Sequence, residues 1–497
     1  MSKKQRINGI GTSSAILSAS KVVTMLIGLA SGMLLSRFRT LEEYGTYSEI
    51  LIVVTLTTSL FTLGLPNSTN YFLARSESGE KRRQFLSVFF TINTVICFVM
   101  GAALVIASPF IADYFGNSLI NDFSFFLFFY PWTRVIISSI SNILVVYGKT
   151  AKLLVFSIVN TTVSLAAILI VLVVQGTFRL YMILLLAGEI LMMVWVYFMV
   201  WRLEHPLCLS LDKELVFKML KYSIPIGLAG LVGTISIEID KLMIGWFFDT
   251  EQLAVYTNAA KELPLTIVAT SLTAVLLPQM ARMLKANQTE QAVSLWGDAM
   301  RLSYIVICFF AMSLVVFAPQ IITVLYSEKY LSGVPVFRIY SLHLLLRFTY
   351  FGLILNSIGK TKLIFYSSLI SLVLNVIMNF ALYYALGMIG PAIATALSMG
   401  IISIAQLVAT GKAIKIPFSK LFPWNKLIQI TGVNVCIGGA LYLIVSILEL
   451  GTETKDIIIS IIIGVSTAIV YFALLSKKIR LLWKGLNNVD VTVGGED

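Results

Sequence analysis

Uninterrupted apolar stretches recur from one end of the 497-residue chain to the other, and they limit what it can fold into. Each is about 20 residues long, the length at which an α-helix spans the hydrocarbon core of a bilayer. The runs are continuous rather than alternating, which argues against a transmembrane β-barrel. Only 12% of the residues are charged, too few to cover a soluble protein. We therefore expect an all-α, polytopic membrane protein.

The apolar runs predict fourteen transmembrane helices, and the basic residues predict their orientation. Lysine and arginine concentrate in cytoplasmic loops of membrane proteins. With the N-terminus inside, 26 of the 37 basic residues fall in inner segments and 5 in outer loops. We expect a multi-pass protein of the cytoplasmic membrane with both termini cytoplasmic, whose net charge of +12 faces anionic membrane lipids and requires no nucleic acid partner. The expected spans are 10–36, 46–66, 86–108, 123–147, 152–174, 179–202, 219–247, 255–278, 300–318, 335–358, 362–385, 388–411, 427–448 and 456–476.

Two pairs of similar segments indicate an internal repeat. YGTYSEI (44–50) and LAVYTNA (253–259) lie 209 residues apart, and YGKTAKL (147–153) and IGKTKL (358–363) lie 211 apart. An even number of spans separates the copies, which predicts a parallel repeat about the membrane normal. The expected organisation is an N-lobe of six spans (1–202), a cytoplasmic amphipathic linker (203–218), a C-lobe of six spans (219–411), and two further spans with a cytoplasmic tail (412–497).

Enzyme chemistry finds no support in the sequence. The two GKT triplets lack the glycine of a P-loop, since Ile143 and Ile354 stand in its place. Four scattered cysteines and two distant histidines suggest no disulfide framework and no metal site. A membrane glycosyltransferase or glycan polymerase would need a large external loop, and the repeat disfavours a passive channel. We expect a transporter without catalytic residues, metal or cofactor.

Eleven charged residues that lie at least three residues inside the ends of the expected spans argue for a polar interior. Each costs roughly 2.5–3.5 kcal/mol at the centre of a lipid-facing helix, so most should face water or a partner. At helical spacing they extend polar stripes on spans one, four, seven and ten. A water-filled cavity between the lobes accounts for all four stripes, and its excess of cations suits an anionic substrate. The candidate cavity residues are Lys21, Arg134, Glu238, Lys241, His343 and Arg347.

The remaining embedded charges have less defined roles. Glu238 and Lys241 share a helix face, and we expect them to pair with each other or with substrate. Glu189 and Asp240 are candidates for ion coupling or for a structural contact between helices. A third group lies near the expected outer helix ends, where long side chains extend to the membrane interface: Glu49, Lys261, Glu262 and Arg338.

Four longer segments carry a family resemblance: LEEYGTYSEI after span one, LGLPNSTNYFLAR at the end of span two, YSIPIGLAGLVGTISIEIDKLMIG in span seven, and GKTKLIFYSSLISLVLNVIMNFALYYALGMIGPAIATALS across spans eleven and twelve. With fourteen spans, the chain resembles bacterial polysaccharide flippases. These are the Wzx-type O-antigen and capsule translocases of the MOP superfamily, which also contains MATE multidrug exporters and the lipid II flippase.

The resemblance implies a function that the residues alone do not reach. Such proteins move an undecaprenyl-diphosphate-linked oligosaccharide from the inner to the outer leaflet by alternating access. The resemblance also implies coupling to H+ or Na+ and glycan polymerase partners. Its embedded basic residues map onto Lys21, Arg134, Lys241 and Arg347. A lipid II flippase remains an alternative, as does a MATE-type antiporter, although the latter should carry carboxylates on span one, where Lys21 stands.

Overall fold

The computed structural model describes residues 3–76, 78–205, 208–261 and 263–487, and for residues 3–20 and Asn487 it describes the backbone alone. All regular structure within these ranges is helical. The chain divides into two compact units, residues 1–254 and 255–497. The helices of the first unit are α1 (Lys3–Phe38), α2 (Leu41–Thr62), α3 (Leu65–Arg75), α4 (Gly79–Phe115), α5 (Leu119–Asp122), α6 (Ser124–Val146), α7 (Thr150–Val173), α8 (Phe178–Leu203) and α9 (Lys213–Phe247).

The second unit is also helical. The tenth helix, α10 (Thr250–Ala259), begins in the first unit and continues past its last residue, Ala254. The remaining helices are α11 (Ile267–Lys285), α12 (Thr289–Val316), α13 (Ala318–Leu325), α14 (Val334–His343), α15 (Leu353–Ser357), α16 (Thr361–Leu386), α17 (Ile389–Ile414), α18 (Phe418–Leu421), α19 (Trp424–Ile447) and α20 (Thr454–Asn487).

The number of membrane-spanning helices is close to the expectation. Within the described ranges, twelve helices are long and apolar enough to cross a bilayer, and the number is thirteen if the bent pair α2 and α3 is one span. The all-α, multi-pass architecture predicted from the apolar runs is confirmed. The expected span that has no counterpart among these candidates is the tenth, 335–358.

Span ten is broken because tertiary contacts replace its helical hydrogen bonds. The helix α14 ends at His343, a short 3₁₀ turn follows over Leu344–Leu346, and helix resumes only at Leu353. The intervening stretch, RFTYFG, is rich in aromatic and β-branched residues and ends in glycine, all of low helix propensity. Its side chains pack elsewhere: Thr349 accepts a hydrogen bond from the buried indole of Trp296 at 3.0 Å, and Phe351 stacks on Phe422.

The second span bends at a close approach between helices. α2 begins with a capping box, in which the Thr40 side chain and Glu43 bond to each other's backbone amides. The α2 and α3 helices meet at 45° through Gly64, whose φ of 73° favours glycine. Gly227 of α9 lies against this turn, and a Cβ there would meet the carbonyl carbon of Leu63 at 2.2 Å. Two glycines therefore allow α9 to pack on the bend.

Residues 208–210, which lie between α8 and α9, run along α4. Two of their backbone amides donate to hydroxyl groups of α4: Cys208 to Ser87 at 3.3 Å and Ser210 to Thr91 at 3.2 Å. Asp212 then caps α9 through the amides of Glu214 and Leu215. Residues 213–218, expected to belong to an amphipathic linker, are instead the first turns of α9, because the cap lets the helix start there.

The core of the first unit lies where α3, α4, α6 and α8 meet. It is built of large buried side chains, among them Leu65, Phe85, Phe89, Ile136 and Met192. Helix α9 joins this core through Met219, although in sequence it begins the second repeat. The core fixes α6 and α8 side by side, and these two helices carry the charged pair described next.

Candidate functional site

Arg134 is the cation of the first unit whose surroundings are most informative. It lies on α6, one turn after Pro131, and its side chain is 51% exposed. The residues around it are buried, including Thr133 beside it and Tyr130 one turn earlier. The guanidinium lies over the Tyr130 ring, 5.9 Å from its centroid. A half-exposed guanidinium therefore stands among buried neighbours at this point of α6.

The partner of Arg134 is a buried carboxylate on α8. Arg134 Nη1 lies 3.9 Å from Glu189 Oε1, and the Glu189 side chain is only 4% exposed. The second oxygen, Oε2, has no hydrogen-bond partner among the described residues. Such a carboxylate depends on the neighbouring cation, because an ionised group buried alone is unfavourable. Glu189 therefore makes the structural contact between helices that was one of its two expected roles, and coupling stays a prediction.

Three tyrosine rings lie near this pair. Tyr47 of α2 contacts Tyr181 of α8 edge to face at 5.9 Å, and Tyr181 is buried. Tyr130 stacks on Phe126 at 4.3 Å and is also buried. The rings pack around the charged pair, and the guanidinium is the group left exposed to a ligand. A guanidinium suits a ligand with anionic groups.

The expected pair on α9 is confirmed. Lys241 Nζ lies 2.8 Å from Glu238 Oε2, and the two side chains are 19% and 14% exposed. Two other members of the same polar stripe face α2 and α3 instead of solvent: Thr234 bonds to Ser59 at 3.2 Å, and Gly227 lies against the bend. The stripe is thus partly a packing face, whereas the Glu238–Lys241 pair on it stays partly exposed.

Asp240 and Lys21 have contrasting environments. Asp240 is 2% exposed, and its Oδ1 accepts a hydrogen bond from the backbone amide of Lys241 at 2.9 Å. Lys21 on α1 is exposed, and no carboxylate of the described residues forms an ion pair with it. The predicted stripe on span one continues to Ser14 and Ser18, whose side chains lie outside the described residues.

The stripe expected on span ten is wrong in its geometry. His343 is the last residue of α14, and Arg347 follows the 3₁₀ turn, so Tyr340, His343 and Arg347 do not share one helix face. His343 is 8% exposed, its Nε2 has no partner in the described part of the chain, and its ring lies 6.0 Å from that of Tyr340. Arg347 is exposed.

Glu49 was missed by sequence reasoning. We expected it to extend to the membrane interface, but its side chain is completely buried in the first unit. Asn117 Nδ2 donates to Glu49 Oε2 at 2.6 Å. The outer-end position suggested exposure, and only the rotation of α2 within the bundle, which the sequence does not reveal, turns the side chain inward.

No group of three or more histidine, cysteine, aspartate or glutamate side chains suited to a metal occurs among the residues that the structure describes. A sequence-family model described as "Polysaccharide biosynthesis protein" matches residues 34–335, more than half of the chain. The chain belongs to this family. The family resemblance read from the sequence is thereby confirmed.

This polysaccharide biosynthesis protein is similar to the probable low-salt glycan biosynthesis flippase Agl15 of Haloferax volcanii, with 22% identity over 218 residues. The match covers 41% of this chain and 44% of that relative, so the chain spans less than half of the relative's length. Its fold resembles that of the lipid II flippase MurJ in an inward closed conformation, with a TM-score of 0.74, 17% identity, and 93% and 99% of the two chains covered. It also resembles an inward-facing MATE multidrug transporter of the MOP superfamily, with a TM-score of 0.65, 14% identity, and 79% and 94% covered. The chain thus shares the fold of these two proteins.

Proposed function

We propose that this protein is a flippase that moves a lipid-linked oligosaccharide, carried on undecaprenyl diphosphate, from the inner to the outer leaflet by alternating access. Membership of a polysaccharide biosynthesis family supports the glycan, and a transporter fold supports translocation. The observation that carries the proposal is Arg134, a half-exposed guanidinium that lies over the ring of the buried Tyr130. A guanidinium binds diphosphate oxygens in two-point contact.

The proposed architecture completes the twelve or thirteen spans to fourteen. The broken segment 334–357 counts as one crossing, with two six-helix lobes, two further helices and both termini in the cytoplasm. Helix interruptions are compatible with membrane depth where they are buried in protein. In this proposal Lys21, Glu238, Lys241, His343 and Arg347 line the same substrate path as Arg134.

A genetic experiment tests the function. Deleting the gene should abolish surface glycan and leave lipid-linked oligosaccharide in the inner leaflet. Wild-type protein should restore display, whereas the charge reversals Arg134→Glu and Arg347→Glu should fail at normal protein levels. Lys362→Glu, an exposed basic residue at the start of α16, is the control and should restore display. Normal glycan display in the deletion strain would disprove the proposed function.

Lipid II is the second candidate substrate, because the MurJ-like fold covers 99% of the flippase structure. The two substrates share a diphosphate and differ in their sugars and peptide. Expression of this chain in cells depleted of their own lipid II flippase separates them. Restored growth would favour lipid II, and continued lysis would favour the oligosaccharide. A MATE-type antiporter instead predicts drug resistance on expression.

A further inference from the structure

A second polar cluster in the first unit lies around Glu49, and the proposed substrate path does not use it. Glu49, Thr46 and Asn117 are all at most 5% exposed, and Thr250, the first residue of α10, is 8% exposed. The cluster joins α2, the turn after α4 and the start of α10. Every member belongs to the first unit.

The hydrogen-bond donors of this cluster are too few for an ionised carboxylate. The Asn117 amide donates to Glu49 Oε2 at 2.6 Å and to Thr46 Oγ1 at 2.8 Å. The Thr46 hydroxyl donates to the carbonyl of Glu42 and is not available to Glu49. Oε1 has no well-aligned donor among the described residues, and the group nearest to hydrogen bonding with the carboxyl, apart from Asn117, is the Thr250 hydroxyl.

No cation compensates this carboxyl group. Glu49 forms no ion pair within the described part of the chain, unlike Glu189, which has Arg134. The titratable and charged side chains outside the cluster, on α2 and on the elements packed against it, are mostly acidic or phenolic. They are Glu42, Glu43, Tyr44 and Tyr47 on α2, Arg37 on α1 and Arg39 after it, Asp113 and Tyr114 on α4, Asp122 on α5, Tyr130 and Arg134 on α6, Glu238, Asp240 and Lys241 on α9, Asp249 before α10 and Glu251 on it.

We infer that Glu49 is a proton-binding site and that its proton is the coupling ion of the transport cycle. A fully buried carboxylate with two neutral donors at most and no paired cation among the described residues is disfavoured, whereas a neutral carboxyl group needs only one donor and one acceptor. Asn117 supplies the donor, and the Thr250 hydroxyl, which can donate to the ionised form, accepts from the protonated form. The proton comes from water at this end of α2, the outer side in the proposed topology, and binds Oε1. It leaves as the same O–H bond breaks. This coupling role rests on the proposed flippase function, whereas proton binding does not.

Proton loss at Glu49 has a mechanical consequence for α10. A Cβ on Gly45 would lie 2.1 Å from the Thr250 carbonyl oxygen, so α10 begins in tight contact with α2 one turn from Glu49. An ionised Glu49 requires further hydrogen-bond donors, and the side chain is completely buried, so water does not reach it while α10 stays in this contact. Deprotonation therefore favours separation of Thr250 from α2, at the point where the chain leaves the first unit.

Infrared spectroscopy of the purified full-length protein tests proton binding without any substrate. The spectrum should contain the C=O stretching band of a protonated carboxylic acid at neutral pH. Glu49→Gln should remove that band. Glu43→Gln, the same change on the same helix at a capping position that glutamine also fills, should keep it. A band that Glu49→Gln leaves unchanged, or that Glu43→Gln also removes, would refute the inference.

A milder variant guards against misfolding of Glu49→Gln. Thr250→Ala keeps the carboxyl group and removes its acceptor, so the C=O band should move in this variant. On the Glu49→Gln background, which lacks the band, Thr250→Ala should leave the carboxylic-acid region of the spectrum unchanged. An unmoved band in Thr250→Ala contradicts the proposed contact.

Transport tests the coupling role separately. In cells, Glu49→Gln should abolish glycan display although Glu43→Gln supports it, and dissipating the proton gradient should stop display by wild-type protein. Display that survives in Glu49→Gln refutes coupling at Glu49. If wild-type protein exports no glycan while the infrared band behaves as expected, the flippase proposal fails and proton binding stands.

Discussion

Replacing Arg134 by glutamine tests the charged pair in the first unit, because its two members have unequal exposure. The side chain of Arg134 is 51% exposed and that of Glu189 is 4% exposed. Removing the arginine leaves a buried carboxylate without a cation. Removing the charge of the glutamate leaves a guanidinium that water already reaches. The two single substitutions should therefore differ in their effect on stability.

The size of the expected loss of stability follows from the distance of 3.9 Å between Arg134 Nη1 and Glu189 Oε1. Coulomb's law gives roughly 4 kcal/mol at an effective dielectric constant of about 20. Because water screens the arginine, the realised attraction is smaller. We expect Arg134→Gln to destabilise the protein by about 1–3 kcal/mol, the range for an unsatisfied buried polar group. Glu189→Gln should cost below about 1 kcal/mol, as for an exposed pair.

A double-mutant cycle in detergent measures the prediction. The unfolding of the wild type, both single variants and Arg134→Gln/Glu189→Gln is compared under identical conditions. The double variant should be more stable than Arg134→Gln alone, because its buried carboxyl group no longer carries a charge. Equal destabilisation by the two single changes, or a double variant no better than Arg134→Gln, would refute the argument from exposure.

Glycan display by the same four proteins separates binding from packing. If Arg134 contacts the substrate, the double variant should regain stability and still fail to display glycan. If the arginine only neutralises Glu189, the double variant should regain both. The second result would remove Arg134 from the proposed substrate path.

Three further substitutions test the packing of the fold. Gly227→Ala should lower the unfolding temperature, because the added methyl group clashes with the Leu63–Gly64 backbone at a cost of about 1–3 kcal/mol or more. Gly230→Ala, on the same helix with nothing within 4 Å of the new methyl group, should leave the unfolding temperature unchanged. Equal unfolding temperatures of the two variants would contradict the close approach of α9 to the bend. Tyr471→Phe removes the hydroxyl that accepts from Asn434 at 3.0 Å and should cost about 1–2 kcal/mol by calorimetry, while an unchanged unfolding temperature would disprove that contact. Thr91→Val removes the acceptor for the linker amide at position 210, so limited proteolysis between 208 and 212 should become faster, and an unchanged rate would argue against the tethered linker.

The sequence predicted the transmembrane helices well because apolar length is a local property. Thirteen of the fourteen expected spans have counterparts, counting the bent pair as one. The failure at span ten has a tertiary cause: Trp296 and Phe422 bind the side chains of the interrupted segment, and neither is near it in sequence. Hydropathy is averaged over a window of neighbouring residues, so it does not reflect the contacts that single side chains make with residues distant in sequence.

The sequence predicted the contact of the candidate site that lies within one helix, because helical spacing is also a local property. Helical spacing placed Glu238 and Lys241 on one face and they do pair, since three residues separate them. The partner of Arg134 lies on another helix, and only packing brings Glu189 to it. Glu49 shows the limit most clearly, because its depth depends on how α2 rotates within the bundle.

The position of α9 has a consequence for how this chain could be divided. It corresponds to the first span of the predicted second repeat, yet its Met219 packs in the core of the first unit, residues 1–254. The border of the predicted repeat and the border of the compact unit therefore differ. If the chain were cut within 208–212, this helix would stay covalently joined to the C-terminal fragment, while its packing partners would lie in the N-terminal fragment. A cut after Ala254, the last residue of the first unit, would keep these contacts, and that of Thr250 with α2, within one fragment.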